Sequence, residues 1–227
     1  MPFTDNIIIS RTIEDAWRDA LWCVVRNGHD YKIEYGSYVG QIRRQLEHVA
    51  IIINEPWVRP LAPISLPGGL PLPTSEEKIE RYFAEYIMSE EKEETEDYTY
   101  GQAIAPQVPK IIEILNRSKG NSNQACISVS DWNSINLKDP QCLRLVDFKV
   151  VRGKLNMSLF FRSWDCFAGL PENLGGLQML KEYLLIHLDF PVKDGKIIAY
   201  SSGLHIYEMY FPIVDMLNVD KIGELRP

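Results

Sequence analysis

The chain has 227 residues, 45% hydrophobic and 24% charged, which is enough apolar material for a large core and too much for wholesale disorder. Its net charge of −7 and the lack of any basic block argue against a nucleic-acid polymer as partner, so any phosphate bound belongs to a small molecule. No apolar run approaches the roughly 20 residues needed to cross a bilayer, and Ile7-Ile8-Ile9 is too short for a secretory signal; the expectation is a cytosolic protein of one domain with no membrane contact.

Thr12 and Asp15 have capping-box spacing, and Ile13, Trp17, Ala20, Leu21 and Val24 follow at helical intervals until Asn27-Gly28, which predicts a first helix. Residues 31–54, ending in Val49-Ala-Ile-Ile-Ile53, read as a strand. Prolines 56, 60, 63, 67, 71 and 73 then forbid regular structure, giving an extended loop over 54–75. Thr74 or Ser75 caps a helix through Ile79, Tyr82, Phe83, Tyr86 and Ile87, and the acidic run from Glu90 to Asp97 reads as solvated surface. A helix over Val108–Leu115, a polar loop over 118–123 and a strand over Ala125–Val129 come next.

Leu143–Val151 and Lys154–Phe161 alternate apolar and polar residues about Arg152-Gly153, the pattern of a hairpin, which puts Cys142 at the entrance to a strand. Leucines 174, 177, 180, 184, 185 and 188 make a helical face, and Lys193-Asp-Gly195 reads as a turn into a strand over Ile197–Tyr200. Cys23, Cys126, Cys142 and Cys166 lie far apart with no C-x-x-C pair, so thiols are expected rather than a disulfide framework or a zinc site. These patterns reach a soluble α/β protein and stop there.

Particular residues carry the chain further. Pro140-Gln-Cys142, the hairpin after it, Arg162-Ser163-Trp-Asp165, Gly169-Leu-Pro-Glu-Asn173 and His205-Ile-Tyr207 share an order and approximate spacing. Any one of these strings alone is weak. Together they resemble the thymidylate synthase family, and Tyr98-Thr-Tyr100-Gly101-Gln with Asn123-Gln124 resembles its shorter archaeal branch, so the likeness spans about half of the chain.

The resemblance implies a mixed α/β fold with a large twisted sheet, a homodimer paired through that sheet, and methylation of dUMP at C5. Cys142 would be the nucleophile, because adding a thiolate to C6 of uracil turns C5 into an enolate carbon able to attack an electrophile. Arg162 would lie near both thiol and phosphate, favouring ionisation of the thiol, and its fork with the Ser163 hydroxyl suits a phosphate. Asn173 would pair with O4 and N3–H of uracil, His205 and Tyr207 with the 3′-hydroxyl, and Asp165 with the pterin of the carbon donor. Tyr100 would belong to the network that removes the C5 proton, and Glu85 would order water near O4 as part of the general base.

Three positions depart from the family pattern. The paired arginines that reach the phosphate across the dimer are replaced by Asn123 and Gln124, which suggests a different clamp using Arg43 or Arg44. Leu143 stands where a histidine usually follows the nucleophile, and Gly223-Glu-Leu-Arg-Pro227 does not match the apolar tail that closes over folate. The carbon carrier is accordingly either 5,10-methylenetetrahydrofolate or a methanopterin-type molecule. Two other readings compete: a pyrimidine nucleotide hydroxymethylase on the same fold, disfavoured by Asn173, and a catalytically silent nucleotide-binding homologue.

Overall fold

The computed structural model describes residues 6–66, 69–92 and 98–217. The acidic residues 93–97, Pro67 and the tail at 223–227 lie outside the described residues. Eight strands form one mixed sheet: β1 (Ile7–Ser10), β2 (His29–Lys32), β3 (Ile42–Ile53), β4 (Cys126–Ser128), β5 (Leu143–Val151), β6 (Lys154–Phe161), β7 (Trp164–Asp165) and β8 (Lys193–Tyr207). Their order is β1-β3-β8-β6-β5-β4, with β2 added to β3 and β7 to β8. Strand β8 is central, antiparallel to β3 and parallel to β6.

Alternation along the strands separates two faces. Ile8, Val49, Ile51, Ile53, Ile197, Ala199, Met157, Leu159, Val146 and Phe148 are all buried on the face that carries the helices. Helix α1 (Ile13–Asn27) begins with the capping box, Thr12 accepting from the Asp15 amide and Asp15 from the Thr12 amide. Its buried stripe runs from Ile13 to Val24, and Trp17 Nε1 donates to the Phe167 carbonyl at 3.0 Å. Helix α4 (Gly169–Ile186) is buried on most sides, with Leu170, Leu174, Leu177, Leu180 and Leu184 enclosed. Its Gly175 and Gly176 allow helix α2 (Glu76–Arg81) and the π-helical turn Tyr82–Ile87 to close on it, since added Cβ atoms would come within 2.7 Å of Ile79 and 2.6 Å of Tyr82.

Three local expectations change, and one left open is decided. Residues 31–54 are two strands rather than one, because Gly36, Tyr38 and Gly40 at positive φ turn the chain between β2 and β3. The helix predicted over 108–115 extends over Gly101–Ser118 as α3, despite Pro106 and Pro109 inside it. Both prolines are exposed, so water can take the carbonyls that they leave unbonded. Lys193-Asp-Gly195 is the start of β8, not a turn: Gly195 lies against β6, where a Cβ would come within 2.6 Å of the Leu155 carbonyl oxygen. Ser75, not Thr74, caps α2, accepting from the Lys78 amide.

The hairpin at Arg152-Gly153, both at positive φ, joins β5 to β6 with the boundaries read from the sequence. A short helix α5 (Phe211–Met216) follows β8. Beneath α4, Lys181 is fully buried, ion-paired to Asp194 at 2.8 Å and bonded to the Gly195 carbonyl at 2.6 Å.

Candidate active site

At one end of the central strands, the segment before β5 meets the turn between β2 and β3. Cys142 there lines a cavity of about 320 Å³ together with Arg43, Lys138, Asp139, Arg162, Ser163 and Tyr207, closed on one side by Gly36, Ser37 and Tyr38. The register makes this juxtaposition. Arg43 on β3 pairs with Tyr207 on β8, Asp165 on β7 pairs with His205, and the Tyr38 and Tyr207 rings are 4.7 Å apart. Because neighbouring strand residues face opposite ways, Arg43 faces the cavity while Arg44 is bound to Asp30 at 2.7 Å and covers the Phe211 ring. Of the two arginines suggested by the sequence, Arg43 is the one on the cavity.

The segment bearing Cys142 is pinned from several directions. Arg162 N–H donates to the Cys142 carbonyl at 2.9 Å. The Arg162 guanidinium buckles the preceding loop, donating to the carbonyls of Gln141 and Pro140 and to Asp139. The Leu143 amide donates to the Tyr100 hydroxyl at 3.1 Å. Burial pushes the Cys142 thiol above its ordinary value, and Arg162, Arg144 and Arg43 only partly oppose this. Arg162 acts in the direction that favours thiolate, but burial outweighs it here.

His205 is 2% exposed and its Nε2 has no hydrogen-bond partner among the described residues. Its Nδ1 lies 3.2 Å from the Gly203 carbonyl and 3.4 Å from Ser163 Oγ. Burial, with Arg43 and Arg162 nearby, pushes the imidazole down to about 3, so it is neutral at ordinary pH. The Tyr207 phenol is raised by burial, and its ring meets that of His205 edge-on at 4.7 Å.

Asp165 accepts from the amides of Phe167 and Ala168 at the start of α4, yet burial still pushes its carboxyl up to about 6. Asn173 on α4 is held at both ends: Trp164 Nε1 donates to its Oδ1 at 2.9 Å, and its Nδ2 donates to the Tyr82 hydroxyl at 2.8 Å. Its amide is thus oriented, with one lone pair and one N–H to spare.

Glu85 is not on the Cys142 cavity. It is exposed and lines a separate hollow of about 650 Å³ with Lys78, Arg81, Tyr82, Tyr86 and Glu172. Between the two hollows stand aromatic rings: Tyr82 stacked on Tyr86 at 5.1 Å, Tyr86 against Tyr100 at 5.2 Å, and Tyr100 beside Tyr98 at 5.6 Å. Asn123 accepts from Lys149 at 3.0 Å, and Gln124 lines a surface hollow with Lys110, Glu113 and Arg117; neither lines the Cys142 cavity of this chain. Leu143 is fully buried. Lys138, Asp139 and Ser37 are not among the residues that the sequence points to, and Tyr98 enters there only within the string Tyr98-Thr-Tyr100-Gly101-Gln, with no role of its own. The signal for them was available only in the proximity of Asp139 and Lys138 to Cys142 and of Tyr98 to Tyr100.

A family model described as thymidylate synthase matches residues 75–220. Among curated proteins, one from Methanosarcina barkeri named "Putative thymidylate synthase" is 28% identical over 218 residues, covering 92% of this chain and 93% of that protein. A relative of the same name from Methanothermobacter marburgensis is 26% identical, over 88% of this chain and 92% of its own length. The fold is that of thermostable thymidylate synthase A from Bacillus subtilis, with a TM-score of 0.65 at 13% identity over 91% of this chain and 83% of the other. With the family match covering well over half of its length, the chain belongs to the thymidylate synthase family.

Proposed function

We propose that this protein methylates C5 of dUMP or a closely related pyrimidine nucleotide. The observation that carries the reading is the cavity in which a cysteine thiol, three cationic side chains, a serine hydroxyl and a tyrosine converge. Cys142 adds to C6 of the base, and the electron pair moves to C5 and O4, making C5 the carbon that attacks a one-carbon donor. Loss of the C5 proton and of the bond between the new methylene carbon and the carrier nitrogen, whose electron pair the nitrogen keeps, would leave an exocyclic methylene on C5; hydride added to that methylene would then make the methyl group as Cys142 leaves C6 as thiolate.

Arg43 and Lys138 supply positive charge for the nucleotide phosphate, with Ser163 as a neutral donor. Arg162, already spent on the nucleophile loop, contributes its charge and remaining N–H groups. The orphaned His205 Nε2 and the Tyr207 hydroxyl suit the 3′-hydroxyl, and the oriented Asn173 amide suits O4 and N3–H. Tyr100 belongs to the proton-abstraction network through its hold on Leu143. Glu85 fits the general-base role only if water connects it past the tyrosines.

The carbon carrier supplies the methylene carbon and the hydride. The stacked faces of Tyr82 and Tyr86 fit a flat heteroaromatic ring, and Lys78 and Arg81 beside them fit an anionic end, which suits a folate or a methanopterin equally. Asp165, protonated below about 6, could donate to or accept from such a ring. No helix among the described residues is long and apolar enough to cross a membrane, and the proposal places the protein in the cytosol, in keeping with its four free thiols.

The proposal includes a homodimer. The sheet face away from the helices presents Ile7 and Ile9, 52% and 63% exposed, beside the partly exposed Ile52, Ile198, Tyr200, Phe160 and Leu145 on successive strands. A continuous apolar sheet face of this kind is suited to a second sheet.

The test is release of tritium from dUMP labelled at C5, with and without each carrier, for wild type and Cys142→Ser. Carrier-dependent release that vanishes in the variant is expected, with dTMP as product; a hydroxymethyl product would establish the hydroxymethylase instead. Folded wild type that binds dUMP and releases no tritium with either carrier would leave the silent homologue.

A further inference from the structure

Arg43 reaches the cavity from the middle of a row that crosses three strands. It pairs with Tyr31 on β2 and with Tyr207 on β8, and residues paired in register face the same way. Gln45 and Glu47, two and four residues along β3, lie on that face as well. The Gln45 amide is laid over Gly203 of β8, where a Cβ would come within 2.8 Å of its Oε1. The pleat thus gathers Arg43, Tyr31, Gln45 and Glu47 into one polar strip that ends at the cavity.

The hydrogen bonds in this strip run in one direction. Arg43 Nε–H can only donate, and it donates to the Tyr31 hydroxyl oxygen. The Tyr31 O–H is given on to Gln45 Oε1 at 3.1 Å, and Gln45 Nε2 donates to the Glu47 carboxylate at 3.0 Å. The chain ends on an anion, so each donor in it is fixed and the guanidinium sits at its positive end. The guanidinium carbon also lies 4.8 Å from the Tyr31 ring centroid, within reach of cation–π attraction. Nε is consumed in this way, while neither terminal nitrogen of Arg43 is hydrogen-bonded among the described residues. Arg162, the other arginine on the cavity, has its Nε and one terminal nitrogen held by Gln141, Pro140 and Asp139.

A guanidinium anchored through Nε offers its two terminal nitrogens side by side, the arrangement that meets two oxygens of one phosphate group. We infer that Tyr31 is a positioning residue for the substrate phosphate: it holds Arg43 with both terminal nitrogens toward the cavity and so makes the site select a nucleoside monophosphate over the bare nucleoside. The inference rests on the reading of the cavity as a nucleotide site. Tyr31 does not line the cavity itself; it acts through Arg43, as Gln45 acts through Tyr31.

Tyr31→Phe removes the hydroxyl and keeps the ring beside the guanidinium. Its affinity for dUMP, by calorimetric titration, should fall about fivefold, while that for deoxyuridine, which has no phosphate, should stay within about 1.5-fold by NMR titration. Added to Arg43→Gln, the same substitution should weaken dUMP by less than about twofold more, because the side chain that it positions is gone. Equal losses for dUMP and deoxyuridine, a full loss persisting beside Arg43→Gln, or no loss at all would overturn the inference, the first two being the mark of a hairpin merely loosened.

Should Tyr31→Phe fail to fold, the wild-type chain carries the test. In nitrogen NMR spectra, with Arg43 assigned by its absence from Arg43→Gln, inorganic phosphate should shift the Arg43 terminal nitrogens and leave Nε in place; a shift centred on Nε, or none at all, would be the opposing result. Inorganic phosphate also separates this inference from the reading beneath it. A wild type that binds phosphate through Arg43 with an affinity dependent on Tyr31, yet binds no dUMP, would refute the nucleotide site and leave Tyr31 in its role.

Discussion

Asp165→Asn should make the protein more stable above neutral pH and leave it almost unchanged in acid. The carboxyl is raised from 3.8 to about 6 by burial. Between those values the folded chain holds a proton that the unfolded chain has lost, so stability falls as pH rises through about 6 and then stays at its reduced level. Two pKa units correspond to about 3 kcal/mol. Asparagine removes that cost and keeps the oxygen that accepts from the Phe167 and Ala168 amides; its new N–H groups must find acceptors near Tyr207 and Tyr210, which reduces the net gain to about 1–3 kcal/mol. For a chain of this size that is about 2–12 °C in Tm. Thermal unfolding of both proteins from pH 4 to 8 reads the effect as a difference growing with pH to a plateau. Parallel curves, or a difference largest in acid, would refute the assignment of a buried, destabilised carboxylate. Activity should fall in the same variant, as expected where a site residue is kept at a cost in stability.

Lys181→Met should lower unfolding free energy by about 3 kcal/mol, because it strips the largely buried Asp194 carboxylate of its ion-pair partner; the Gln178 hydrogen bond to Asp194, at 2.7 Å, would remain, and urea unfolding measures the loss. Arg43→Gln should weaken nucleotide binding about tenfold or more by removing a charge from the cavity, whereas Arg44→Gln, tied to Asp30 on the other face, should leave affinity within about twofold. Calorimetric titration with dUMP checks both arginine variants.

The legible parts of the fold were those whose signals are local. The Thr12–Asp15 box and the Arg152-Gly153 hairpin each carry their own geometry within a few residues, and both appear as read. Pro106 and Pro109 concealed the first half of α3, because a sequence does not show that both lie on a solvent-facing side. Gly195 read as a turn residue although its role is to admit the backbone of β6, a contact about 40 residues away in sequence. The candidate site shows the same division. Cys142, Arg162, Ser163 and Tyr207 were found by motif and do share a cavity. Arg43 and Lys138 were distinguished from other basic residues only by strand alternation and loop position, and the separation of Glu85 from Cys142 depends on how four tyrosine rings pack.

The central place of β8 also governs the order in which the chain can fold. Strands β5 and β6 pair across a two-residue turn and need nothing distant, but β3 finds its main partner only when residues 193–207 are present. During synthesis the long apolar edge of β3 must wait for some 140 residues to emerge, the situation in which unpaired strands meet the wrong neighbour. Arg43 and Tyr207 meet at the far end of that last pairing. The cavity around Cys142 is therefore completed only when β8 docks against β3, and nucleotide binding can report that this long-range pairing has formed.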